Sequence, residues 1–141
     1  MRCPVRVELS RFKVKAGKTE RVDAWLQMLN ERLPETLATL EREAMKFEVI
    51  FRERIGSDDY LTWVSVQGEE GAAVDTSPHE VDRLHLDFWR ECIDDAYGRH
   101  DAQPQVILVP PVVAAAMDWP APADSRVPYL PREIVIRPES S

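Results

Sequence analysis

Asp82 and His85 stand three residues apart in a segment whose apolar side chains recur at helical spacing. At about 100° per residue, Val81, His85, Phe88 and Cys92 share one narrow stripe, flanked by Leu84, Trp89 and Ala96. An imidazole on such a stripe, with a carboxylate one turn before it, is a candidate acid–base pair. Asp82 would accept one ring N–H and fix the tautomer, and the other ring nitrogen would move a proton near neutral pH. The plainer reading is a core histidine satisfied by one hydrogen bond, because an apolar stripe ordinarily packs on the sheet. Cys92, on the same stripe, reads as a small hydrophobe with a raised pKa and a poor nucleophile. A metal site built from His79, Glu80, Asp82 and His85 is disfavoured by spacing. Six residues place the two histidines about 120° apart around a helix, whereas a zinc pair on a helix needs a spacing of four. No metal and no cofactor is expected.

A second constellation lies on the strands. Glu8, Glu48 and Arg52 share the polar parity of their segments, and Arg11 falls where the alternation of the first strand changes phase. On an open sheet face Arg11 and Arg52 would hold an anionic or enolate oxygen, with Glu48 beside them and Trp63 and Trp89 as walls. The competing reading is a salt-bridged, solvated sheet surface.

These residues require the following elements. Val5, Val7 and Leu9 alternate with Arg6, Glu8 and Ser10, and the apolar face then continues through Phe12 and Val14. One extra residue near Ser10-Arg11 predicts a β-bulge. Val22, Trp25, Leu26, Leu29 and Leu33 predict a helix, which Pro34 either kinks or ends by starting a second segment through Leu37 and Leu40. Residues 46–54 and 60–67 read as a hairpin around Gly56-Ser57-Asp58-Asp59, the second strand being apolar on both faces. Ser77-Pro78-His79-Glu80 reads as a helix start, with Ser77 as N-cap, Pro78 at the first helical position and Glu80 closing a capping box. That helix runs to about residue 97, with Gly98 as its stop. Residues 105–109 form the fourth strand, closed by Pro110-Pro111. Eight of the 11 prolines lie in residues 101–141, so residues 112–141 read as an extended arm without its own core, adding at most an edge strand at 133–137.

The order β-α-β-β-α-β is the ferredoxin-like arrangement: an α+β domain over residues 1–111, its antiparallel sheet carrying helices on one face. This layout over residues 5–109 resembles the dimeric α+β-barrel superfamily, which includes antibiotic-biosynthesis monooxygenases, EthD-type proteins and rhamnose mutarotases. More closely, Val7-Glu8-Leu9-Ser10-Arg11-Phe12, the stretch from Trp63 to Gly68, and His79-Glu80-Val81-Asp82 through His85, Trp89 and Cys92-Ile93-Asp94 resemble an uncharacterised bacterial family. The superfamily resemblance implies a homodimer whose sheets face each other around a chamber. The mutarotases resemble this chain around Leu33-Pro34-Glu35, but where they carry a helical histidine this chain has Leu29. No haem-binding signature is present.

The formal charge of −7 and the lack of a basic run argue against nucleic acid as a partner. Cys3 and Cys92 make no disulfide framework, and neither a signal peptide nor an apolar run long enough for a membrane span is seen, so a cytoplasmic protein is expected. Together these features predict a homodimeric, cofactor-independent acid–base enzyme for a small molecule: an isomerase, cyclase or monooxygenase of secondary metabolism. In that reading His85 is the acid–base group and Asp82 its orienter. The alternative is a non-catalytic binding or assembly module. A solvent-connected cavity lined by Asp82, His85 and a tryptophan favours the enzyme. A closed interior in which His85 donates to a backbone carbonyl favours the module.

Overall fold

A computed structural model describes residues 5–68 and 77–119 of the chain. Its sheet has four strands, β1 (Val5–Lys13), β2 (Met45–Ile55), β3 (Asp58–Gly68) and β4 (His100–Ala102), in the order β2-β3-β1-β4. Every neighbouring pair is antiparallel. β2 and β3 pair down to Ile55 opposite Asp58, leaving Gly56-Ser57 as the loop. Gly56 supplies the positive φ, 64°, that so tight a hairpin requires.

Directly opposed residues in a ladder share a face, so the register sorts the sheet. Ser10, Phe12, Leu61, Trp63, Glu48, Ile50 and Arg52 fall on one face; Val7, Leu9, Arg11, Tyr60, Val64, Val49 and Phe51 fall on the other. The first face is covered by α1 (Thr19–Glu31) and α3 (Glu80–Cys92), with α2 (Leu33–Arg42) beside them. Between these layers lies the core: Val14, Val22, Trp25, Leu61, Cys92 and Ile93, joined by the rings of Phe12, Trp63, Phe88 and Trp89. Trp89 meets Phe12 edge-on at 4.6 Å and Trp63 at 5.5 Å, so aromatic packing ties α3 to β1 and β3.

Several expectations from the sequence are corrected. β1 carries no bulge at Ser10-Arg11; it pairs with β3 without interruption from Val5 to Lys13. The phase change reflects two different faces. Val7 and Leu9 serve the helix-free face, while Phe12 serves the helix-covered one. Ser10 lies between them on the covered face, buried, and donates to Asp101 Oδ1 at 2.6 Å, which satisfies the polar group a bulge would have turned outward. The irregularity falls instead in β2, between Met45 and Phe47.

The second helix of the predicted pair does begin as a separate segment: α1 ends at Glu31, and α2 carries Pro34 in its first turn, where a missing N–H costs nothing. Ser77 is not the N-cap of α3. That position belongs to His79, and Ser77 Oγ accepts the His79 N–H at 3.2 Å instead. The first turn is capped from another helix, since Val81 N–H donates to Glu35 Oε1 on α2 at 3.1 Å. Glu35 thus does the capping expected of Ser77 and Glu80, a long-range contact that local spacing does not reveal.

α3 also stops earlier than Gly98. Ile93 leaves the helix in an extended conformation and bridges to Val14, while Asp94 N–H donates to Lys13 O and Lys15 N–H to Cys92 O. Backbone pairing with the end of β1 outcompetes another helical turn. The fourth strand is His100–Ala102 rather than residues 105–109. Pro104 lacks the N–H that continued pairing with β1 requires. Beyond it the chain forms a short helix, α4 (Pro111–Ala116), and Asp118 pairs with Lys46 of β2 at 3.5 Å. Residues 103–118 therefore run from one edge of the sheet to the other. The suggested strand at 133–137 lies outside the described residues. Among the described residues no helix is long and apolar enough to cross a membrane.

Candidate functional site

Where α1 and α2 diverge from the start of α3, a half-open cleft of about 390 Å³ forms over β2 and β3. Its walls are apolar, with Leu26 and Leu29 from α1, Leu37 and Leu40 from α2, and Ile50 from the sheet. Its titratable groups are Asp82 and His85 from α3, Glu43 from the end of α2, and Glu48 of β2 beside the Trp63 indole of β3, with Asn30, Thr36 and Thr39 as neutral polar neighbours. That volume lies at the lower end of small-molecule pockets, roughly 300–1,000 Å³.

His85 is oriented by a tryptophan. Trp25, with no exposed surface, donates its indole N–H to His85 Nδ1 at 2.9 Å. An indole nitrogen only donates, so Nδ1 must present its lone pair and the neutral ring carries its proton on Nε2. No hydrogen bond joins Asp82 to His85, and the expectation that Asp82 sets the tautomer is corrected in favour of Trp25. Asp82 acts through its charge alone. Burial pushes the imidazole down to about 4 and outweighs the Asp82 charge, which pulls it upward, so His85 is neutral at pH 7.

The carboxylates around it are poorly compensated. Asp82 is 5% exposed, and its buried Oδ2 has no hydrogen-bond partner among the described residues. Glu48 accepts the Trp63 indole N–H at 3.0 Å. Burial raises the Glu48 carboxyl above its ordinary range, with the Trp63 hydrogen bond opposing and the Asp82 charge adding. Glu43 is lifted to about 7, chiefly by burial and then by the charges of Asp82 and Glu48, against a smaller opposing effect of Arg42. Glu43 is therefore the group beside the cleft that exchanges its proton near neutrality.

The remaining sequence candidates are placed elsewhere. Arg52, Glu48 and Trp63 lie on the helix-covered face rather than the open one, and Arg11 alone of that set lies on the helix-free face. Arg52 is bound to Asp23, to Asp59 Oδ2 at 3.5 Å and to the Thr19 carbonyl at 3.0 Å, which ties β2 to the start of α1. Arg11 pairs with Glu53 at 3.4 Å and sits over the Tyr60 ring. Neither guanidinium borders the cleft, and among the described residues no lysine or arginine lines it to hold an anion. Trp89 belongs to the aromatic core, leaving Trp63 as the tryptophan of the wall. Cys92 is fully buried and its thiol is pushed up by burial, in keeping with a packing role. Among the described residues no group of three or more His, Cys, Asp or Glu side chains is arranged to hold a metal ion.

Sequence reasoning missed Trp25 and Glu43. Trp25 was legible only as one residue of an apolar helical stripe; asking which interior donor could face an interior histidine would have singled it out. Glu43 sits in a run of charged residues and carries no signal of its own.

The molecule so described is a small α+β domain with a four-stranded antiparallel sheet and a cleft between its helices and that sheet. The model of a family of unknown function, DUF6176, matches residues 5–115, and the chain belongs to that family. No curated protein and no solved structure matches it.

Proposed function

We propose that the cleft is the active site of a cofactor-independent enzyme that moves a proton on a small carbonyl compound, as an isomerase or cyclase does. The observation that carries this reading is the Trp25–His85 hydrogen bond, which leaves a neutral Nε2–H as a fixed donor on a ring bordering the cleft. A neutral imidazole held this way does not serve as a base. It donates to a carbonyl oxygen and stabilises the enolate that forms when the neighbouring C–H is lost. The base is then Glu43, whose proton affinity near 7 makes it partly ionised at neutral pH and able to return the proton. The acid–base role assigned to His85 from sequence thus passes to Glu43, and Asp82 is a source of charge rather than an orienter. A half-open cleft lined by Asp82, His85 and Trp63 supports the catalytic alternative over a non-catalytic module.

The chemistry is testable without the natural substrate. Cyclohexanone in D2O at pD 7, monitored by proton NMR, is expected to exchange its α-hydrogens faster with the protein than in buffer. His85→Gln should slow that exchange about 10²-fold or more, in line with loss of one donor to a developing oxyanion, and Glu43→Gln should abolish it. Exchange at the buffer rate by a protein that binds cyclohexanone would remove the proton-transfer reading.

We also propose a homodimer of the dimeric α+β-barrel kind within a ferredoxin-like arrangement. The strand order β2-β3-β1-β4 supports it. So do Phe47, Phe51 and Ile55, which stand 45–53% exposed along the helix-free face of β2. Val106 and Leu108, on the segment that runs between the sheet edges, are exposed as well. Light scattering should report twice the chain mass, and Phe51→Glu should halve it by placing a charge on that face. A monomer at micromolar concentration would dispose of the dimer.

A further inference from the structure

Among the described residues the charged groups that line the cleft are all of one sign. α3 contributes Asp82 and the neutral His85, the end of α2 contributes Glu43, β2 contributes Glu48, and α1 contributes only Leu26, Leu29 and Asn30. Among the described residues no lysine or arginine borders the space, and the Arg42 charge opposes the rise at Glu43 less than burial and the neighbouring carboxylates promote it. A cluster of carboxylates can be a merely solvated surface, but Asp82 is not solvated. It is 5% exposed, and its Oδ2 has no hydrogen-bond partner among the described residues. An ionised carboxylate kept from water without a donor is costly, and its cost is relieved by a cation brought to it or by a proton. Among the described residues these carboxylates are not arranged to hold a metal ion, and Leu37, Leu40, Ile50 and Trp63 beside them offer apolar contact to an organic body.

We propose that the cleft takes a ligand with a protonated amine on an apolar body, its ammonium donating to the Asp82 carboxylate within the negative potential of Glu43 and Glu48. This rests on the reading of the cleft as a small-molecule site, and it narrows the substrate class to organic monocations. Ammonium hydrogen bonds to a carboxylate are charge-assisted and among the stronger ones available, and the leucines desolvate the alkyl portion.

Three probes of one length separate the possibilities: hexylamine, 1-hexanol and hexanoate, each titrated into the full chain at pH 7.5 with tryptophan fluorescence and calorimetry as readouts. Hexylammonium is expected to bind at least about tenfold more tightly than hexanol, an advantage of roughly 1.4 kcal/mol, and hexanoate not measurably. Asp82→Asn should bring hexylammonium to the affinity of hexanol. Equal binding of amine and alcohol by the natural chain, or a preference for hexanoate, overturns the cation proposal while leaving a small-molecule cleft in place. Binding by none of the three overturns the cleft and the cation together. Amine binding by a protein that leaves the cyclohexanone α-hydrogens unexchanged upholds the cation and removes only the proposed chemistry. The comparison of probes on the natural chain stands even if Asp82→Asn fails to fold.

Discussion

Trp25→Phe is expected to destabilise the protein by about 2–4 kcal/mol and to free His85 from its single tautomer. Two effects add. Trp25 has no exposed surface and touches the rings of Trp63, Phe88 and Trp89, so the smaller ring leaves a void within a packed aromatic cluster. Its lost N–H also strands His85 Nδ1 in a largely buried position, which by itself costs about 1–3 kcal/mol. Trp25→Ala should cost about 3–5 kcal/mol, the range for truncating a buried aromatic residue. Urea unfolding measures the stability, and imidazole ¹⁵N shifts report the tautomer. A variant as stable as the natural chain, with its Nε2–H form intact, would show that the indole does not orient the ring.

Glu43→Gln is expected to stabilise the protein by about 2–3 kcal/mol at pH 8 and to tilt its pH profile. The two displaced groups act with opposite signs. His85 falls from 6.5 to about 4 on folding, so the unfolded chain binds the extra proton between those values. Stability from this group is therefore full above 6.5 and lost as pH falls toward 4, to the extent of ~3 kcal/mol. Glu43 rises from 4.5 to about 7, so here the folded chain holds the extra proton. Its contribution is full below 4.5 and lost as pH rises through 7, by a similar ~3 kcal/mol before allowance for its partial contact with solvent. In the interval they share, from about 4.5 to 6.5, the two slopes largely cancel, and these groups leave the natural chain with a flat profile there. Removing the Glu43 charge exposes the His85 slope, so the variant should gain stability steadily from pH 4 to 6.5 and stay above the natural chain at pH 8. Urea midpoints measured every half unit would decide it. Parallel profiles for the two proteins would mean that Glu43 does not titrate in a desolvated setting.

The Asp82–His85 pair illustrates how far residue spacing carries. Its place on the buried side of a helix follows from periodicity, because side-chain direction around a helix is set by the backbone alone. The same holds for the hairpin at Gly56 and for the break before α2, where backbone chemistry at Gly and Pro acts over one or two residues. The family-level outline, a mixed α+β chain with an antiparallel sheet, was legible for that reason. The ends of α3 and the position of β4 were not. They depend on Glu35 reaching the α3 N-terminus, on Ile93 bridging to Val14, and on β1 offering its edge to His100–Ala102. Each is a contact between segments far apart in the chain.

The face on which Glu48, Arg52 and Trp63 stand shows the same limit more sharply. Alternation establishes that they share a side of their strands, but which side meets the helices depends on register and on what packs there, and a two-residue period is symmetric between the two faces. Residue types and spacing alone specified an interior imidazole with a carboxylate one turn away. Three-dimensional packing chose its hydrogen-bond donor, Trp25, and put Glu43 and Glu48 around the same cleft, because burial and through-space charge are properties of neighbours rather than of sequence position.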